Sequence, residues 1–221
     1  MNKENFAGNS KGENRREEIL SAAAQLISTR SYSTVSLTEI ANKVNLRKQS
    51  LYHYFGSKED IFYEILLDVV SGLIQDLKRI TELSVSPAER LKQAIYLHVS
   101  KFFENEAKMK VYAEVEWEVL EPKRRREFRA LERQYDEMFD GILREGIANS
   151  AFRSDLDVRI VEFAIIGMMY HMAKWYSPAG RLSAEEIANN YVRLLLEGIY
   201  ACDSKQGHDK TKYTLITHGK K

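Results

Sequence analysis

From Lys43 to Lys58 the chain carries Lys43, Arg47, Lys48 and Lys58 and no acid. The formal net charge of the whole protein is only +1, so this window is a local basic surface and not the overflow of a basic chain. The groups interleaved with those cations are of the kinds that hold double-stranded DNA. Lys48, Lys58, Tyr52 and the hydroxyls of Thr38 and Ser50 suit phosphate oxygens, which fix register without reading sequence. Gln49 can bond bidentately to adenine, and Arg47 to guanine, in the major groove. Arg47, Lys48, Gln49, Ser50 and His53 face outward on a helix over 47–55, while Leu46, Leu51 and Phe55 are left for packing. A plain helical hairpin with a solvated basic face would carry the same charges. The turn, the cap and the aromatic cluster beside the acid-free window favour DNA.

Those side chains need two helices around a tight break. Ser36 with Glu39 is a capping box that opens a helix ending near Val44. Asn45 can take the left-handed conformation a tight turn needs. Ala41 is small where two helices must cross closely. Ahead of this unit, Asn14 with Glu17 is a plausible cap for a helix to about 28, with Ile19, Leu20, Ala23, Ala24, Leu26 and Ile27 on one stripe. Behind it, Ser57 caps a long helix to about 83, apolar at helical period from Ile61 to Leu77. The layout is a helix-turn-helix, the unit that lays one helix into the major groove.

The run TEIANKVNLRKQSLYHYFGSKEDIF resembles the DNA-binding domain of TetR-family transcriptional regulators. Ile40, Ala41, Leu51, Tyr52, Phe55, Ser57, Lys58 and Glu59 fall on positions of that family's signature. The usual turn glycine is Asn45, and the usual small residue at position 49 is Gln. The resemblance implies a homodimer on a palindromic operator, usually repressing. It implies DNA contacts from Thr38, Lys48, Gln49, Tyr52, His53 and Tyr54, with Lys58 as a phosphate anchor. The segment KWYSPAGRLSAEEIANNYVRLLLEGI resembles a branch that responds to acyl-coenzyme A thioesters, which makes such a thioester the leading effector.

The remainder reads as further helices at about 87–105, 108–119, 123–149, 156–177 and 184–201. Ser86-Pro87 starts the first, and Ser183 with Glu186 caps the last. One short recognition helix reads few base pairs, so a symmetric pair is expected. The segment from Ile160 to Tyr176 is apolar nearly all round and must be covered on several sides. Ile165, Met169, Tyr191, Leu195 and Ile199 are the expected dimer contacts. Phe102, Phe103, Tyr112, Trp117, Tyr135, Met138, Phe139, Phe163, Met168, His171, Met172 and Trp175 are the expected lining of an apolar effector pocket, since Met and flat aromatics suit an adaptable cavity. Any one of them alone is as well explained by core packing. The basic run Lys123, Arg124, Arg125, Arg126, Arg129 and Arg133 could meet a coenzyme A phosphate, although a solvated helix start explains it too. Glu114, Glu116 and Glu118 around Trp117 would instead suit a lipophilic cation.

The expected architecture is therefore all-α, about nine helices: a mobile tail over 1–12, a three-helix DNA-binding domain over 13–58, an effector-binding and dimerisation bundle over 59–202, and a polar tail over 203–221. Cys202 is the only cysteine, which excludes an internal disulfide and a thiolate zinc cage. No cofactor or metal is expected, and neither a nucleophile elbow nor a phosphate-binding glycine loop points to an enzyme. No apolar run reaches membrane-spanning length and the start lacks a signal peptide's apolar core, so a cytoplasmic protein is expected. The alternatives are a constitutive architectural DNA-binding protein without an effector and a regulator that senses lipophilic cations.

Overall fold

The structure, a computed structural model, describes residues 4–177 and 179–197, with side chains from Gly12 onward. Ile199, Cys202 and the tail 203–221 lie outside the described residues. Among the described residues all regular structure is helical. The order is α1 (Glu4–Arg30), α2 (Leu37–Lys43), α3 (Lys48–Leu51), α4 (Lys58–Thr81), α5 (Pro87–Glu104), α6 (Glu106–Ala113), α7 (Pro122–Ala148), α8 (Val158–Trp175) and α9 (Ala184–Leu196), with a single 3-10 turn at Trp117–Val119.

The starts follow the sequence. Ser36 and Ser183 each close a capping box with the glutamate three residues on, and Ser57 and Ser86 accept the N–H of Asp60 and Glu89. Asn45 sits at φ 55°, in the left-handed region. Two expectations change. α1 begins at Glu4, so Asn14 and Glu17 lie inside it. The first 86 residues hold no proline, and Glu, Lys and Arg after Asn9 are helix-competent. The helix expected over 108–119 stops at Ala113. Glu116 leaves the helical path and accepts the backbone N–H of Tyr32 at 2.6 Å, tying this segment to the loop after α1.

α4 is the central post. It buries Ile61, Phe62, Ile65, Leu66, Val69, Val70, Leu73 and Leu77, and packs against α1, α5, α6 and α7. Each fully buried aliphatic side chain there contributes roughly 1.5–3 kcal/mol by leaving water. α8 packs on α7 and α6, and α9 on α5, which leaves the far sides of α8 and α9 uncovered in the single chain. No helix among the described residues is long and apolar enough to cross a membrane.

Candidate nucleic-acid interface and effector core

The head is built around Ile40, Ala41, Leu51 and Phe55, all buried. The α2–α3 turn is closed by Leu46 N–H donating to the Ala41 carbonyl at 2.8 Å, and Arg15 of α1 donates to the Val44 carbonyl at 2.6 Å. Arg47 caps α3 in an extended conformation. The recognition helix is shorter than the expected 47–55. Only Lys48–Leu51 is α-helical, and tighter i+3 bonds carry the chain on, with His53 N–H to the Ser50 carbonyl and Tyr54 N–H to the Leu51 carbonyl. Arg16 lies over the Phe55 ring at 4.3 Å, donates to the Tyr54 carbonyl and pairs with Glu64, so α1 clamps the end of this element to α4.

Thr38, Arg47, Lys48, Gln49, Tyr52 and His53 are exposed, Tyr52 to 47%; Ser50 and Tyr54 are half-buried. The side chains of Arg47, Lys48, Gln49, Tyr52 and His53 make no hydrogen bond or ion pair among the described residues. An exposed aromatic and a run of uncommitted donors on a packed scaffold are available to a partner. Lys58, expected as a phosphate anchor, differs from these in being engaged within the protomer. Its ammonium donates to the carbonyls of Tyr32 (2.8 Å) and Val35 (2.9 Å) and sits 4.0 Å from the Tyr32 ring centre. It fastens the α1–α2 loop to the start of α4.

Behind the head, charges link the helices. Lys108 of α6 is buried and reaches Glu17 of α1 at 2.6 Å and Asp68 of α4 at 2.7 Å. Burial alone would lower its pKa, but the two carboxylates outweigh it and raise it. Arg124 of α7 pairs with Asp60 and, at 3.3 Å, with Glu59 at the start of α4. That pairing removes Arg124 from a free phosphate-binding run, and Arg129 is likewise engaged, 4.9 Å from the Trp117 ring centre. Two of the three acids suited to a lipophilic cation are also engaged. Glu116 holds Tyr32, Glu114 pairs with Lys174 at 2.8 Å, and Arg129 occupies the Trp117 face.

The aromatic residues expected around an effector divide in two. Phe102, Tyr112, Tyr135, Phe139 and Met172 are buried together between α5, α6, α7 and α8, with Phe103, Trp117 and Met138 half-buried at the edges. Phe128 and Tyr170, which periodicity did not single out, complete the cluster; Tyr170 donates to the Tyr112 hydroxyl at 2.8 Å. His98 sits in its midst, fully buried. Phe163 (54% exposed), Trp175 (46%) and His171 lie instead on the outer side of α8, with Ile160, Ala164 and Gly167, and Met168 is half-buried. Conversely, Ile165 and Met169, expected in the dimer contact, are each 1% exposed and face the core; Tyr191 and Leu195 are half-buried. These five α8 residues, Phe163, Ile165, Met169, His171 and Trp175, face the side opposite to the one expected because a helix that is apolar all round gives no phase by which to choose its inner side. Among the described residues no group of His, Cys, Asp and Glu could hold a metal ion.

Glu162 also faces inward on α8, buried against Asp136 and Asp140 of α7, with Arg159 at 2.9 Å. Burial and the neighbouring Asp136 carboxyl push its pKa up to about 7. A carboxyl with a raised folded-state pKa favours folding most when protonated, so its contribution is full below the ordinary glutamate range and is lost as pH rises through about 7. Glu162→Gln, which mimics the neutral acid, should therefore melt above the wild type at pH 8, with the gap closing towards pH 5. Thermal melts of both proteins at the two values check this, and the difference between them cancels the opposite titration of His98.

Residues 19–65 match the family described as "Bacterial regulatory proteins, tetR family", and residues 84–199 match "Tetracyclin repressor-like, C-terminal domain". The chain is 29% identical over 185 residues to the HTH-type transcriptional repressor KstR2 of Mycolicibacterium smegmatis, covering 84% of this chain and 90% of that one. Its fold superposes on the TetR-family regulator PfmR of Thermus thermophilus with a TM-score of 0.77 at 33% identity, over 83% of this chain and 99% of the other. AibR, solved in complex with isovaleryl coenzyme A and operator DNA, gives a TM-score of 0.72 at 26% identity, over 82% and 98%. With both the DNA-binding head and the helical body matched, the chain belongs to the TetR family of helix-turn-helix, DNA-binding transcriptional regulators.

Proposed function

We propose that this regulator is a homodimeric repressor of an inverted-repeat operator, released by an acyl-coenzyme A thioester. The single observation that carries it is the set of exposed, uncommitted side chains on a fully packed head: Arg47, Lys48, Gln49, Tyr52 and His53. Thr38, Ser50 and the half-buried Tyr54 flank them. Lys48, Tyr52, Thr38 and Ser50 position the head on phosphates, and Gln49 and Arg47 read base edges. Two heads engage successive major grooves at a separation of about 34–36 Å. The body over 59–202 pairs two protomers through the outer sides of α8 and α9, where Ile160, Phe163, Trp175, Leu194 and Leu196 are exposed. Exposed large apolar side chains grouped on two helices favour an association site there. Working on DNA, the protein acts in the cytoplasm.

The effector site is the buried aromatic cluster between α5, α6, α7 and α8. The AibR complex with isovaleryl coenzyme A supports a thioester, whereas the occupied state of Glu114, Glu116 and Trp117 argues against a lipophilic cation. An effector that displaces α6 or α7 acts on the head through Lys108, Glu116 and Arg124, which hold α1, the loop after it and the start of α4. Effector binding then favours the state whose heads are wrongly spaced for the operator, and the shift equals the difference in its affinity for the two states. Fluorescence anisotropy on inverted-repeat duplexes tests the reading. Binding should exceed that to scrambled duplexes, and isovaleryl-coenzyme A or a longer homologue should reverse it where free coenzyme A does not. Equal binding to scrambled DNA would end the repressor reading.

A further inference from the structure

His98 is the one group in the aromatic cluster whose chemistry packing does not account for. It is fully buried on α5, its ring 5.6 Å from that of Tyr170 and 6.4 Å from that of Tyr135. Nδ1 lies 3.2 Å from the Tyr135 hydroxyl, and Nε2 has no hydrogen-bond partner among the described residues. Burial holds the imidazole neutral, with its pKa lowered to about 4, so it carries one N–H. The Tyr135 hydroxyl, itself buried, has no other acceptor among the described residues and must donate to Nδ1. The imidazole proton is thereby placed on Nε2. A buried donor without an acceptor is costly, and its cost is relieved when a bound molecule supplies one.

We infer that Nε2–H of His98 is the hydrogen-bond donor that recognises the acyl carbonyl oxygen of the effector, with Tyr135 fixing the tautomer that makes it a donor. This rests on the proposed acyl-coenzyme A reading and adds what in the thioester is read: the carbonyl, and not only the chain. His98 is suited to that task because a neutral donor among apolar side chains accepts a polar, uncharged oxygen and penalises a saturated analogue that leaves the donor unpaired.

The test compares isovaleryl-coenzyme A with S-isopentyl-coenzyme A, a thioether of the same length that lacks the carbonyl, by operator release and by calorimetric binding. The wild type should prefer the thioester by about ten-fold or more, the size of one lost buried hydrogen bond. In His98→Phe, which has no donor, the preference should fall to about one, and the free protein should melt higher than the wild type because the unpaired donor is gone. His98→Gln, which keeps an N–H, should retain part of the preference and covers the case in which the phenylalanine variant does not fold. A wild-type preference that persists in both variants overturns the role of His98 while leaving the thioester reading intact. Equal affinity of the two compounds for the wild type does the same. If neither compound binds the wild type, the thioester reading fails, and the inference with it.

Discussion

Replacing Lys48 and Tyr52 together by alanine is expected to lower operator affinity by three orders of magnitude or more, while the protein remains folded. Neither side chain contributes to the core: Lys48 is exposed, Tyr52 is 47% exposed, and both lack bonds among the described residues. The packing of the head rests on Leu51 and Phe55, which stay in place. Hydrogen bonds to charged groups contribute roughly 1.5–3 kcal/mol each, and a dimer loses each contact twice. Losing one lysine per head should also reduce the slope of log affinity against log salt by about two. Gln49→Ala should behave differently, relaxing preference at one base position per half-site while changing the salt slope little. Anisotropy titrations at several salt concentrations, on an operator and on point-substituted duplexes, separate the two outcomes. An unchanged affinity in the double variant removes α3 from the interface.

Gly167→Arg is expected to yield a folded monomer with at least a hundred-fold weaker operator binding. A Cβ at Gly167 meets nothing within 4 Å in the protomer, so the larger side chain has room there. Replacing an interior helical glycine by arginine also favours the helix by roughly 0.5–1 kcal/mol. Any penalty must therefore come from a second copy. Gly167 lies on the outer side of α8 among Phe163, Ala164, His171 and Trp175, where a bulky cation would meet the opposing helix and be buried without a partner. Phe163→Glu should act in the same direction by removing an aromatic anchor, with a cost typical of central interface aromatics, about 2–4 kcal/mol. A monomer presents one head, so it forfeits the gain from tethered binding. Sedimentation velocity at micromolar concentration, with circular dichroism for the fold, decides the case. A dimer that persists in Gly167→Arg moves the interface elsewhere.

Much of the fold was legible because its signals are local. The Ser36–Glu39 and Ser183–Glu186 boxes, Ser57, Ser86-Pro87 and Asn45 each specify backbone geometry within a few residues, and each is found where the sequence places it. The bonds that Lys58 makes within the protomer were not legible because their partners are distant. The carbonyls of Tyr32 and Val35 reach it only once α1 and α4 have packed, and before that it is one more cation in an acid-free window. The break after Ala113 has the same origin, since the Glu116–Tyr32 bond spans 84 positions. On α8 the difficulty was of another kind. Ile165 and Phe163 are equally apolar, and only the neighbours contributed by α6 and α7 decide which turns inward. Nothing local marks His98 in the sequence; its unpartnered nitrogen emerges only from the packed arrangement around it.

The backbone of the head is held by half-buried cations: Arg15 on Val44 and Arg16 on Tyr54 and Phe55 around α2 and α3, and Lys58 on Tyr32 and Val35 in the loop before α2. Form and vocabulary are thus carried by separate residues. Positions 47, 48, 49, 52 and 53 could be rewritten as a block to retarget the protein to another promoter, with little disturbance to its folding or to its response to the metabolite it senses.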